Sequence, residues 1–216
     1  MIDIHLALLR NKLIDFNIKL DNKQYLSLIK YCHLLQKWNR YYSLTAIKDI
    51  DSILDYHILD GLTLVDNIRT KQYLCSNILD VGSGMGVPSV ILAICMPNSK
   101  VVALDCNNKK TTFLRQVAIE LELKNLNVIH ARIEEYQPST KFAIITARAF
   151  ASVDRLLGLS KHLLLDNGCY LLMKSKKTYE ELDNILDNVD SQVFIAKIPK
   201  LEDIRYIVKL NFKQKG

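Results

Sequence analysis

Residues 78–88, Ile-Leu-Asp-Val-Gly-Ser-Gly-Met-Gly-Val-Pro, constrain the fold of this 216-residue chain more than any other stretch. Ile78, Leu79 and Val81 make a short apolar run suited to a buried parallel strand. Gly82, Gly84 and Gly86 follow at alternate positions. Lacking Cβ atoms, they permit a tight turn whose main-chain amides approach a ligand closely. The apolar residues 87–96 then read as a helix. Strand, glycine turn and helix open a nucleotide-binding βαβ unit. The spacing is G-x-G-x-G, and Ser89 stands where a dinucleotide fingerprint has its last glycine. Taken alone, the loop leaves a purely structural turn as the competing reading.

The rest of the chain supplies a setting for that unit. From Ser76 onward strand-like and helix-like segments alternate, which predicts a mainly parallel sheet with helices on both sides. Strands are expected at 100–104, 126–131, 142–147 and 168–174, and helices at 111–121, 153–165 and 178–186. Residues 192–199 and 204–212 read as two strands close enough to pair as a terminal hairpin. The predicted class is therefore α/β, a doubly wound Rossmann-like sheet with an antiparallel terminal strand. Before Ser76 the pattern is helical: Ile2, Leu6, Leu9, Leu13 and Phe16 recur at helical spacing, as do Tyr25, Leu28, Ile29, Cys32 and Leu35. Asp21 followed by Gln24 reads as a capping box. A third helix is expected from Asp51 or Ser52, with Leu54, Ile58, Leu62 and Val65 on one face and His57 and Asp60 on another. The division falls near Tyr73, giving an N-terminal helical cap at 1–72 and a cofactor-binding domain at 73–216.

Charge and cysteine content narrow the partners. The net charge of +6 suits a polyanion, but the excess of cations is two in each of the segments 1–76, 77–150 and 151–216. No single segment announces a nucleic-acid face. Five dispersed cysteines without a C-x-x-C pair suggest neither a metal site nor a disulfide framework. No apolar run reaches the ~18 residues of a membrane span, and Asp3 and His5 lie where a secretion signal is basic and then apolar. A cytoplasmic protein without a membrane partner is expected.

The chemistry should lie at the carboxyl ends of the strands. Asp105 ends the second predicted strand, beside the glycine turn, where a carboxylate accepts both hydroxyls of a ribose. Ile133 and Glu134 follow the third strand and are placed to flank an adenine and bond its amino group; a solvated first-turn carboxylate is the alternative for Glu134. Arg148 ends the fourth strand as a single cation, with neither an Asn/Asp-Pro-Pro-aromatic run nor a Pro-Cys beside it. If the cofactor donates a methyl group, that favours an acceptor with an available lone pair, such as guanine N7, and catalysis by positioning, with a plain surface or salt-bridged arginine as the alternative reading of Arg148. His57, Phe150 and Lys174 are candidates on the substrate side, with Trp38, Arg40, Tyr41, Lys176 and Lys177 behind them. For His57 the competing reading is a hydrogen-bonded structural residue. A nicotinamide-dependent oxidoreductase and a non-catalytic adenosyl- or RNA-binding module are the rival functions.

Several short runs together resemble the RsmG (GidB) family: Trp38-Asn39, Leu44-Thr45-Ala46, His57-Ile58-Leu59-Asp60, Asp80 to Pro88, Leu104-Asp105, Phe113-Leu114-Arg115-Gln116 and Arg148-Ala149-Phe150-Ala151. The resemblance implies a class I S-adenosylmethionine-dependent methyltransferase that forms 7-methylguanosine in 16S ribosomal RNA, with naked RNA and an assembling or mature small ribosomal subunit as the alternative substrates; separately, a monomer is expected. It implies cofactor contacts from Gly82, Val87, Ile133, Glu134 and Arg148, with Asp105 placed for the ribose. The chain departs from the family pattern at Ser43, Tyr56, Gly61 and Ser89.

Overall fold

The computed structural model describes residues 2–14, 16, 18–149, 152–175, 189–196, 198 and 204–213. Seven strands form one sheet: β1 (Asn77–Val81), β2 (Lys100–Asp105), β3 (Leu126–His130), β4 (Phe142–Arg148), β5 (Leu164–Ser175), β6 (Val189–Ala196) and β7 (Arg205–Phe212). Their order is β3-β2-β1-β4-β5-β7-β6. β1 to β5 run parallel, while β7 is antiparallel to both β5 and β6. The expected doubly wound sheet and terminal hairpin are both present. Strand order reverses between β1 and β4, which opens a crevice at their carboxyl ends.

Consecutive strand residues feed two separate cores, because side chains alternate across a pleated sheet. Ile78, Val101, Ile144, Leu171 and Ile207 enter one core, and their neighbours Leu79, Val102, Ile145, Leu172 and Val208 enter the other. The first core is covered by α1 (Ile2–Lys12), α2 (Asn22–Tyr42), α3 (Ile50–Ile53), α4 (Asp60–Thr70), α5 (Ser89–Cys95) and α6 (Asn108–Glu120), and α7 (Val153–Ser160) covers the second. Leu28, Ile29, Leu62 and Val65 thus lie in the same cluster as Ile78, Val90 and Phe113. Segments 1–72 and 73–216 share a hydrophobic core.

Local signals explain most boundaries. Asp21 caps α2 by accepting from the Gln24 amide at 2.8 Å, while the Gln24 side chain accepts from the Asp21 amide at 3.0 Å. Asp49, whose carboxylate accepts from the Ser52 amide at 2.8 Å, caps α3. Two differences have longer-range causes. The helix expected over 153–165 stops at Ser160, because Leu164 already pairs with Phe142 and so starts β5 four residues before Gly168. Between α3 and α4 the helix widens into a π-helical stretch, Leu54–Leu59, which apolar spacing did not predict and which carries His57. The helix expected over 178–186 lies outside the described residues. No helix among the described residues is long and apolar enough to cross a membrane.

Candidate functional site

The glycine turn is bolted to the end of β2. The Gly82 and Ser83 amides both donate to the Leu104 carbonyl, at 2.8 and 3.1 Å. Gly82 has φ 68° and Gly84 φ 58°, the left-handed region that L side chains avoid. Gly86 closes the turn against the helices, and a Cβ there would overlap Val90 and Leu114. Asp105 is fixed alongside: one carboxylate oxygen accepts from the Gly84 amide at 2.9 Å and the other from the Asn107 amide at 2.8 Å, with the Lys110 ammonium 4.0 Å away. A cavity of about 350 Å³ lies over this end of the sheet, lined by Gly82, Asp105, Ile133 and Glu134 together with Lys110 and Arg155. Four residues expected on the cofactor side are thereby gathered around one space. Gly84 and Gly86 shape the turn behind it, and Val87 is buried in the first core.

Asp80, at the root of the same loop, is 1% exposed. One of its oxygens accepts from the Ser89 amide at 3.2 Å, and the other has no partner. Burial pushes this carboxyl up to about 6, against the pull of the hydrogen bond from the Ser89 amide. A folded-state value above the ordinary 3.8 means that the folded chain holds the extra proton between about pH 4 and 6. Stability is therefore lost as pH rises through that window. Asp80→Asn should stabilise the protein above pH 6, by on the order of 2 kcal/mol, with no gain near pH 4. Thermal melts of both proteins at pH 4 and 8 measure this, and an equal difference at the two pH values would refute it.

A second cavity, of about 340 Å³, adjoins the first at Ala149, which lines both and has φ 54°. Its walls include Tyr56, His57, Asp60, Arg148, Lys174 and Arg205. The Arg148 guanidinium donates to Asp60 at 3.1 Å and to the Tyr56 carbonyl at 3.3 Å, and lies 3.5 Å from His57 Nδ1. On its other side the ring is held by Thr45, whose Oγ1 lies 2.9 Å from His57 Nε2. Burial, reinforced by Arg148, lowers His57 to about 4, so the ring is neutral near pH 7. Thr45 is itself set by Asn39, whose side chain accepts from the Thr45 amide and donates to the Thr45 and Ile47 carbonyls.

Asp60 is 5% exposed and takes a second cation, with Arg205 Nε 3.7 Å from its other oxygen. Burial pushes the Asp60 carboxyl upward, and Arg148 and Arg205 oppose that shift. Arg148 is the cation that ends β4, and Lys174 and Arg205, from β5 and β7, share its cavity. Sequence reasoning missed Arg205. The signal was the terminal hairpin: β7 runs antiparallel to β5, so Arg205, opposite Ser175, begins at the edge where the parallel strands end.

The remaining candidates scatter. Trp38 packs on Tyr42 and Phe113, with ring centroids 5.2 and 5.6 Å away, while Tyr41 is 79% exposed. Phe150, Lys176 and Lys177 lie outside the described residues. Gly61, one of the departures noted above, faces Ile91, whose side chain fills the place of a Cβ. No group of metal-ligating side chains occurs among the described residues.

Comparison with known proteins shows the family. Residues 24–206 match the family described as GidB, rRNA small subunit methyltransferase G. The chain is 40% identical over 208 residues to ribosomal RNA small subunit methyltransferase G of Chromobacterium violaceum, covering 96% of this chain and 98% of that protein. It is also 40% identical to the protein of the same name from Hydrogenovibrio crunogenus, over 90% of this chain and 88% of that one. Among solved structures it resembles a SAM-dependent methyltransferase from Aquifex aeolicus, with TM-score 0.56 and 16% identity, covering 74% of this chain and 92% of that one. That likeness is one of fold.

Proposed function

Because the chain belongs to the GidB family of rRNA small subunit methyltransferases G, we propose that it transfers a methyl group from S-adenosylmethionine to N7 of a guanine in 16S ribosomal RNA. The observation that carries the site assignment is the pair of cavities meeting at Ala149, one walled by the glycine turn and a fixed carboxylate, the other by cations. The first fits an adenosyl group. Gly82 lets the backbone come close, Asp105 offers carboxylate lone pairs to ribose hydroxyls, and Ile133 and Glu134 supply an apolar face and an acceptor for the base. When bound there, S-adenosylmethionine supplies an electrophilic methyl on a positively charged sulfur.

The second cavity receives the target base, with Arg148 at the junction. Guanine N7 carries an in-plane lone pair and needs no proton removed, so the residues around it have only to hold the acceptor in line. His57 suits that division of labour: it is neutral, and its two ring nitrogens are engaged with Arg148 and Thr45. It serves as a strut that orients Arg148 rather than as a base. The test is incubation of the protein with methyl-labelled S-adenosylmethionine and small-subunit rRNA, naked or assembled, followed by nucleoside analysis. Label should appear in 7-methylguanosine; label in another nucleoside, or in none, overturns the reading.

A further inference from the structure

We infer that Arg205 holds a phosphodiester of the RNA strand at the second cavity, with Asp60 as the buried anchor that aims it. This deepens the reading above and rests on it. Three cations reach this cavity from three strands: Arg148 ends β4, Lys174 lies near the end of β5, and Arg205 starts β7. Sheet register makes the convergence rigid, since Ser175 pairs with Arg205 and Lys174 with Tyr206. Asp60 joins two of them, using one carboxylate oxygen for Arg148 at 3.1 Å and the other for Arg205 at 3.7 Å. A carboxylate this buried is costly to keep charged unless cations face it, so it draws both guanidinium groups to this edge of the sheet. The two arginines enter from different strands: Arg148 precedes Ala149, at the junction with the first cavity, and Arg205 lies opposite Ser175 in the β5–β7 register.

A guanine presented at the junction brings its own sugar and phosphate, and the planar fork of donors of a guanidinium matches the oxygens of that anion. The carboxylate of the cofactor's methionyl group offers the same oxyanion chemistry, and the experiment separates the two sources. Single-turnover methyl transfer is titrated with small-subunit rRNA at several salt concentrations, and affinity for S-adenosylmethionine is measured by calorimetry. Arg205→Ala should weaken apparent RNA affinity about tenfold and lower the slope of log affinity against log salt by about 0.7, one phosphate contact to a single strand. Cofactor affinity should stay within about twofold, and Arg205→Lys, which keeps the charge, should keep the wild-type slope. Asp60→Asn removes no cation, so it should weaken RNA affinity with the slope unchanged, a pattern that distinguishes aiming from contact.

An unchanged slope in Arg205→Ala overturns the phosphate assignment. So does a fall in cofactor affinity with RNA affinity intact, which would give Arg205 to the methionyl carboxylate. Unaltered RNA affinity in Asp60→Asn removes its anchoring role. If the wild-type chain methylates no small-subunit rRNA, the function proposed above fails; if it does and Arg205→Ala titrates like wild type, only this inference fails.

Discussion

Gly82→Asp is expected to lower affinity for S-adenosylmethionine at least a hundredfold, about 2.7 kcal/mol, with little change in fold. The backbone at this position has φ 68°, and aspartate is among the L residues that tolerate the left-handed region best. The Gly82 amide can keep its 2.8 Å bond to the Leu104 carbonyl. What changes is the cavity, where a new side chain enters the space that Gly82 leaves open and sets a second carboxylate near Asp105. Calorimetric titration with the cofactor, alongside circular dichroism to confirm the fold, measures this. Unaltered affinity would mean that the first cavity is not where the cofactor binds.

Arg148→Ala is expected to cut the rate of methyl transfer at saturating cofactor and RNA by a hundredfold or more, which is about 2.7 kcal/mol in the barrier. Stability should suffer much less. Asp60 would lose its 3.1 Å partner but keep Arg205, so its buried charge is not stranded. His57 Nδ1 would lose its guanidinium neighbour, a loss softened because the ring is already neutral. Single-turnover kinetics compared with thermal melts separate the two effects. A normal rate would place the reacting edge of the sheet elsewhere.

What was legible in the residues follows from the range of the forces involved. The Asp21–Gln24 capping box joins residues three apart, so two letters suffice to read it. The strand–turn–helix at 77–95 is equally local, because the glycines dictate the backbone and the flanking apolar runs dictate the burial. Ile133 and Glu134 were found because a short loop follows β3, and a loop at that edge has few places to go. The end of α7 was misplaced because Leu164 is claimed by Phe142, a partner across the sheet. Arg205 was missed for a similar reason. Its link to Asp60 spans the chain and depends on β7 running antiparallel, which no spacing within 204–212 encodes.

The widened helical turn at Leu54–Leu59 has a consequence for how this protein tolerates insertions and deletions. A π stretch is the mark of one extra residue accommodated in an α-helical register. Shortening it by one residue would restore α geometry, and the residues of the stretch itself would turn by up to about 100° while the helical turns on either side kept their places. His57 would then rotate away from Arg148 and Thr45, although no other side chain in the network had been altered. Length, as much as identity, is thus a conserved quantity to expect wherever this scaffold keeps its chemistry.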